Sequence, residues 1–260
     1  MKMKWKAALA VGFLAGALVL SGCGGEKKDA AKDAAKVIRV GAETTYPPFE
    51  FTEGEKYVGF DIDLSEAVVK EMGAKMEFKS MGFDALIPAI QSGQIDLVVS
   101  GMDVTPEREK QVTFSDVYFD QSGYVIIVPK DNETIKDWPD LEGKIVGAQV
   151  GTQQAKHAEE AKAAQVKQFD ANSQAFMELK AKTVDAVVID APVGMYYLKQ
   201  GADKDFKLVG NPKDNAGFAM AMKKDNKELQ GKVNKALKTL KENGTYKKIY
   251  DKWFGASEKK

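Results

Sequence analysis

Short apolar runs along the chain alternate with stretches in which apolar residues return every three or four positions. That alternation predicts βαβ units on mostly parallel sheets. "VIRVGAE" (37–43) reads as a strand, and Ile62 to Met72 as a helix that Gly73 closes in the left-handed conformation. "MEFKS" (76–80) gives a second strand, and Phe83 to Ser92 a second helix closed by Gly93, kinked or started late by Pro88. "IDLVVSG" (95–101) gives a third strand. A related order then returns. "KIVGAQVG" (144–151) resembles the first strand, and a polar helix from about Thr152 to Ala164 follows it. "FMELKAKTVDAVVIDAP" (176–192) echoes "LIPAIQSGQIDLVVSGM" (86–102). The repeat predicts two α/β lobes of similar topology. Extended stretches near Gln121 to Tyr124 and at "NAGFAMAM" (215–222) would be two crossings between them, hence a two-strand hinge. Lobe 1 is expected over residues 38–121 and 219–260 and lobe 2 over 122–218. The closing helices, Asn226 to Asn243 and Tyr246 to Phe254, belong to lobe 1, the former with Leu229, Val233, Leu237 and Leu240 on one face.

The N-terminus breaks this pattern. Lys2, Lys4 and Lys6 precede the apolar segment Ala7 to Leu20, which is too short to span a bilayer, and "LSGC" ends it at Cys23. The arrangement resembles the bacterial lipobox. It implies a signal peptide over residues 1–22 and lipidation of Cys23, with residues 23–37 as a flexible tether to the outer face of the cytoplasmic membrane. Cys23 is the single cysteine, so no disulfide framework holds the fold. The 38 basic and 38 acidic residues become 35 and 38 once the three leader lysines are gone, a net charge of about −3. No basic field remains to hold nucleic acid. Nothing in the residues asks for a cofactor or a metal, and a monomer is expected.

The chemistry concentrates where strands end. In open α/β sheets, ligands bind beyond the carboxyl ends of the strands, where loops and helix N-termini leave backbone donors free. Those ends deliver Glu43, Thr44, Thr45 and Tyr46, then Gly101, Asp103, Thr105 and Arg108, and in the second half Gln149, Gly151, Thr152, Gln153 and Asp190. Arg108 is one of two arginines among 36 lysines. A guanidinium holds a carboxylate through two parallel hydrogen bonds, which an ammonium cannot imitate. Asp190 suits an α-ammonium group, the N–H groups after Gly151 suit a carboxylate, and Tyr46 and Phe83 could sandwich a side chain. Together these groups have the chemistry of a zwitterion site. Asp61 and Asp63 of "GFDIDL" are expected to cap a helix, and His157, the single histidine, to sit exposed on a polar one.

"YPPFEF", "GFDIDL", "GFDALIPAIQSGQIDLVVSGM", "TPERE", "FSDVY", "VGTQQ" and "VDAVVID" resemble the polar amino-acid binding proteins of ABC importers, from about Ile38 to Trp253. The resemblance implies a two-lobed type II periplasmic-binding-protein fold, a permease partner and no enzymatic activity. It places the ligand carboxylate on Arg108, Thr152 and Gln153. The amino group falls to Asp190, with Gly101 and Asp103 beside it, and the side chain to Glu43, Tyr46, Phe83 and Gln149. Two departures bear on the ligand. Asp103 stands where relatives often have Ser or Thr, and Gln149 where glutamine-binding relatives have lysine. Glu43, Asp103 and Asp190 against Arg108 leave the cleft at about −2, and a desolvated cleft penalises unpaired charge. L-arginine or L-lysine is therefore expected, with histidine or ornithine tolerated and glutamine second. Asp103 could instead serve the α-ammonium and say nothing of the side chain. Two other classes stay open: an exported dehydratase of prephenate-like substrates, against which "APVG" (191–194) offers no glutamate beyond Asp190, and a ligand-presenting sensor.

Overall fold

The structure, a computed structural model, describes residues 36–120, 123–213 and 215–255; Cys23 and the leader lie outside them. The chain opens with β1 (Val37–Ala42) and a small antiparallel sheet of β2 (Thr45–Tyr46), β3 (Glu50–Glu53) and β4 (Lys56–Val58). The hydropathy pattern had not signalled that small sheet. Next come α1 (Phe60–Glu71), β5 (Lys75–Ser80), a 3-10 turn over Phe83–Ala85, α2 (Leu86–Gln91), β6 (Leu97–Val98), the single turn α3 (Pro106–Glu109) and β7 (Val112–Phe119). The chain then builds β8 (Tyr124–Pro129), β9 (Ile145–Gln149), α4 (Gln153–Glu160), β10 (Gln165–Phe169), α5 (Asn172–Lys180), β11 (Ala186–Asp190), α6 (Ala191–Lys199) and β12 (Phe206–Lys213). β13 (Phe218–Lys223), α7 (Lys227–Glu242) and α8 (Thr245–Phe254) complete it.

Two five-stranded sheets result, ordered β5-β1-β6-β13-β7 and β10-β9-β11-β8-β12. In each, a first strand (β1, β9) pairs in parallel with two later ones, and a strand placed after a crossing (β13, β8) runs antiparallel beside them. The chain passes from the first sheet to the second between Phe119 and Tyr124 and returns between Lys213 and Phe218.

Periodicity explains the helices. In α1, Phe60, Leu64 and Val68 fall four apart and are fully buried, and in α7 Leu229, Val233, Ala236, Leu237 and Leu240 form one buried face. Phe49 sits in the middle of an aromatic cluster, with Phe60, Phe119, Phe218 and Phe254 rings centred 4.9–6.1 Å away. Among the described residues no helix is long and apolar enough to cross a membrane.

Three local expectations need correction. Helix α1 begins at Phe60, and neither Asp61 nor Asp63 caps it. Its N-cap is Gly59, at φ +136°, where a Cβ would lie 2.0 Å from the Phe49 carbonyl oxygen, so only glycine fits. Asp61 instead turns into the core, while Asp63 accepts from Lys252 Nζ and Trp253 Nε1, both at 2.7 Å, and ties α8 to α1. "IDLVVSG" pairs as a strand only at Leu97–Val98, because Ser100 and Gly101 leave the ladder for bonds to other partners. His157 is partly covered rather than exposed: its ring centre lies 4.7 Å from that of Tyr124, and its Nδ1 is 2.9 Å from Glu160 Oε2.

Candidate functional site

The carboxyl ends of β1, β6, β9 and β11 converge on a small cavity between the two sheets. Glu43, Tyr46, Glu50, Phe83, Ser100, Gly101 and Asp103 line it from the first lobe, and Gln149, Thr152 and Gln154 from the second. Backbone geometry sets the near wall. The Glu43 amide donates to Ser100 Oγ at 3.0 Å, and the Gly101 amide to Asp61 Oδ2 at 2.8 Å. Gly101 has φ +48°, and a Cβ there would stand 2.9 Å from Tyr46 Cε1, so glycine lets the Tyr46 ring lie against the backbone.

Arg108 borders this cavity. Thr105 caps α3 by accepting from the Arg108 amide at 3.2 Å, and Pro106 opens the turn, so the "TPER" order aims the arginine side chain inward. Its Nη1 donates to the Asp103 carbonyl at 2.9 Å and its Nη2 to the Gly151 carbonyl of the other lobe at 3.1 Å. The guanidinium carbon lies 5.2 Å above the Phe83 ring centre. Across the cavity Thr152 is the N-cap of α4; its Oγ1 accepts from the Ala155 amide and donates to the Gln149 carbonyl at 2.7 Å. Asp190, fully buried at the end of β11, accepts from the Tyr46 hydroxyl and from Gln154 Nε2.

The lining is rich in buried acid. Burial raises the carboxyl of Glu43, and raises those of Glu50 and Asp190 well above the usual range, the first aided by Asp61 and the second by Asp103. Asp103 is pushed up to about 6 by burial, against the pull of Arg108. Burial lowers Arg108 from its ordinary value, which Asp103 offsets. Among the described residues, four carboxyl groups and one guanidinium therefore lie in or beside the cavity. Glu43 Oε2, Glu50 Oε2, Asp190 Oδ1 and Gln154 Oε1 are buried without a hydrogen-bond partner among the described residues. Buried acceptors left in that state are costly, and a donor-rich, positively charged guest would satisfy those of Glu43 and Asp190.

Of the residues singled out in the sequence, Glu43, Tyr46, Phe83, Gly101, Asp103, Gln149 and Thr152 line this one cavity, with Arg108 and Asp190 bonded to its walls. Gln153 is half-buried and outside the lining; its neighbour Gln154 is the inward one, since successive residues on a helix point about 100° apart. His157 also lies outside it. Sequence reasoning missed Glu50, Ser100, Gln154 and Asn215, whose Nδ2 donates to Asp103 Oδ1 at 2.8 Å. Among the described residues no cluster of three acid, His or Cys side chains is arranged to hold a metal.

Two α/β lobes joined by two crossings, with polar groups converging from both, define a type II periplasmic amino-acid-binding fold. The chain belongs to the bacterial extracellular solute-binding proteins, family 3, whose pattern matches residues 38–256. It is 40% identical over 239 residues to an arginine-binding extracellular protein of Bacillus subtilis, covering 90% of this chain and 92% of that one. An ancestral arginine-binding protein, solved with arginine and again with glutamine, superposes with a TM-score of 0.80 at 50% identity, covering 84% of this chain and 98% of the other. An ancestral amino-acid-binding protein described as a precursor of cyclohexadienyl dehydratase superposes with a TM-score of 0.77 at 41% identity, over 84% and 95% of the two chains.

Proposed function

We propose that this chain captures L-arginine or L-lysine between its lobes and delivers it to an ABC permease, as a lipoprotein held by Cys23. The observation that carries the reading is the acid excess of the cavity. Glu43, Asp103 and Asp190 are buried at the cavity, Arg108 is the one cation bonded to its walls among the described residues, and acceptor oxygens of Glu43 and Asp190 are unpartnered. A ligand with two cationic groups and one carboxylate complements that set. Arg108 would clamp the carboxylate from the first lobe while Thr152 and the backbone at the start of α4 support it from the second. Asp190 and Asp103 would take the α-ammonium, and Glu43 the distal cation between Tyr46 and Phe83. Bonds such as Arg108 to the Gly151 carbonyl cross between the lobes, which suits a hinge that closes over ligand. The names of the relatives support arginine. Binding energy in this scheme serves closure and recognition by the permease, and no bond is made.

Glutamine is the second reading, favoured by the ancestral arginine binder that was also solved with glutamine. The dehydratase reading is weaker. Ala191 to Gly194 form the first turn of α6 directly after Asp190 and carry no acid to serve a proton transfer. Thermal unfolding in the presence of each amino acid tests the proposal, since a ligand that binds only the folded state raises the midpoint with concentration. Arginine and lysine should give the largest shifts; the largest shift from glutamine would move the assignment to the second reading. For the anchor, Cys23→Ser should move the protein from the membrane to the soluble fraction, and unchanged membrane association would refute lipidation.

A further inference from the structure

One acid of the cavity lining, Glu50, and the acid behind it, Asp61, form a pair that the binding reading does not use. Glu50 on β3 and Asp61 on α1 are 1% and 0% exposed, and their carboxyl groups lie within hydrogen-bonding reach of each other. Each has one oxygen fully engaged. Glu50 Oε1 accepts from Ser100 Oγ at 2.9 Å. Asp61 Oδ2 accepts from the Gly101 amide at 2.8 Å and the Tyr118 hydroxyl at 2.6 Å. The remaining oxygens, Glu50 Oε2 and Asp61 Oδ1, have no other donor among the described residues. Two carboxylates cannot hydrogen-bond to each other, because both are acceptors only, and two adjacent buried anions repel strongly. One proton between them removes both difficulties.

We infer that Glu50 is a protonated carboxylic acid in the folded protein, donating to Asp61, and that this acid–carboxylate pair positions the strand ends forming the cavity wall. The allocation follows from the partners. Asp61 already holds two donors on one oxygen and is the better anion, whereas Glu50 has a single hydroxyl donor. Among the described residues, the other ionisable groups that act on Glu50 include Glu43 at the end of β1, Tyr46 on β2 and Tyr118 on β7, and none of these supplies a positive charge. Burial and these neighbours push Glu50 well above the usual carboxyl range. The pair acts through backbone. Ser100 Oγ, held by Glu50, accepts from the Glu43 amide, and the Gly101 amide is held by Asp61. Glu50 is thus a positioning residue for Glu43 and Gly101, and it adds no negative charge to the cavity.

Two measurements test this, and neither needs a ligand. In protein carrying glutamate labelled with 13C at the carboxyl carbon, one resonance should stay at the protonated position at neutral pH, and it should persist in Glu43→Gln. A spectrum with no such resonance, or one lost in Glu43→Gln, overturns the inference, and the wild-type spectrum does not depend on any variant folding. The second measurement is linkage. A carboxyl whose folded pKa is raised binds its proton more tightly when folded, so its contribution to stability is largest at low pH. That contribution is lost as pH rises from the unfolded value towards the folded one. Glu50→Gln keeps an N–H donor for Asp61 and an acceptor for Ser100 while removing the titration. Relative to wild type, its folding equilibrium constant should rise about tenfold per pH unit above about pH 4.5. A ratio independent of pH between about 5 and 8 would mean that Glu50 is ionised in the fold and would refute the pair. Glu50→Ala, which lacks both the donor and the acceptor, should show the same pH dependence from a lower folding equilibrium constant than Glu50→Gln.

Discussion

Arg108→Lys isolates what a guanidinium does that a cation alone does not. In the wild-type protein the fork reaches two lobes at once, Nη1 to the Asp103 carbonyl at 2.9 Å and Nη2 to the Gly151 carbonyl at 3.1 Å, with its carbon 5.2 Å from the Phe83 ring centre. An ammonium keeps the charge and can satisfy one of these directions while facing a carboxylate, but not both. The substitution therefore removes about one charge-assisted hydrogen bond from the closed, liganded state, about 1.5–3 kcal/mol. That corresponds to roughly 10- to 150-fold in Kd. The site is buried, so solvent screening does not reduce the figure much. Calorimetric titration with L-arginine reads it directly. The control is the other arginine: Arg39 forks onto Asp96 through Nε at 2.9 Å and Nη2 at 2.7 Å, at the opposite end of β1 from the cavity. Arg39→Lys should leave Kd unchanged. Wild-type affinity in Arg108→Lys would refute the carboxylate clamp, and equal losses in both variants would point to general destabilisation.

Glu43→Gln should weaken arginine and lysine by roughly tenfold or more while sparing glutamine, because it removes a buried charge and keeps the shape; equal losses for all three, read by titration, would show that Glu43 does not read the side chain. Asp190→Asn should weaken every amino acid to a similar degree, and a loss confined to basic ligands would reassign it. Asp103 sits near 6 in the free protein. A cationic ligand favours its ionised form, so binding should release protons around pH 6 and affinity should fall as pH drops below that value. Titration in buffers of different ionisation enthalpy reads the proton count, and Asp103→Asn should reduce it, with the raised carboxyls of Asp190 and Glu43 supplying the remainder. Gly101→Ala places a Cβ against Tyr46 at a left-handed position, and should cut affinity for all amino acids through the displaced ring.

The fold was legible where burial imposes a period. Leu229, Val233, Leu237 and Leu240 announced α7, and the two Val/Ile-Asp strand patterns announced the repeated topology. Strand ends pointed to the cavity, since Arg108, Asp103, Thr152 and Asp190 follow apolar runs and gather in or beside it. The sequence was silent where tertiary partners override local rules. Acidic residues at a helix start usually serve the helix, so nothing local distinguished Asp61, whose partners Gly101 and Tyr118 lie 40 and 57 positions away. Glu50 follows Phe49 in an apolar segment, and only the burial of the segment shows that the acid is inside too. Gln153 and Gln154 are the same residue type at adjacent positions, and which faces inward depends on where α4 begins. An observed N-cap settles that choice.

Whether this cavity reads a second positive charge decides the ligand. Protein unfolded and refolded to strip any carried-over amino acid, then titrated calorimetrically with L-arginine, L-lysine, L-histidine and L-glutamine, answers that. One-to-one binding of arginine or lysine, with glutamine at least about tenfold weaker, is the result expected from an uncompensated Glu43 in a dry site. Glutamine binding as tightly as arginine would contradict it.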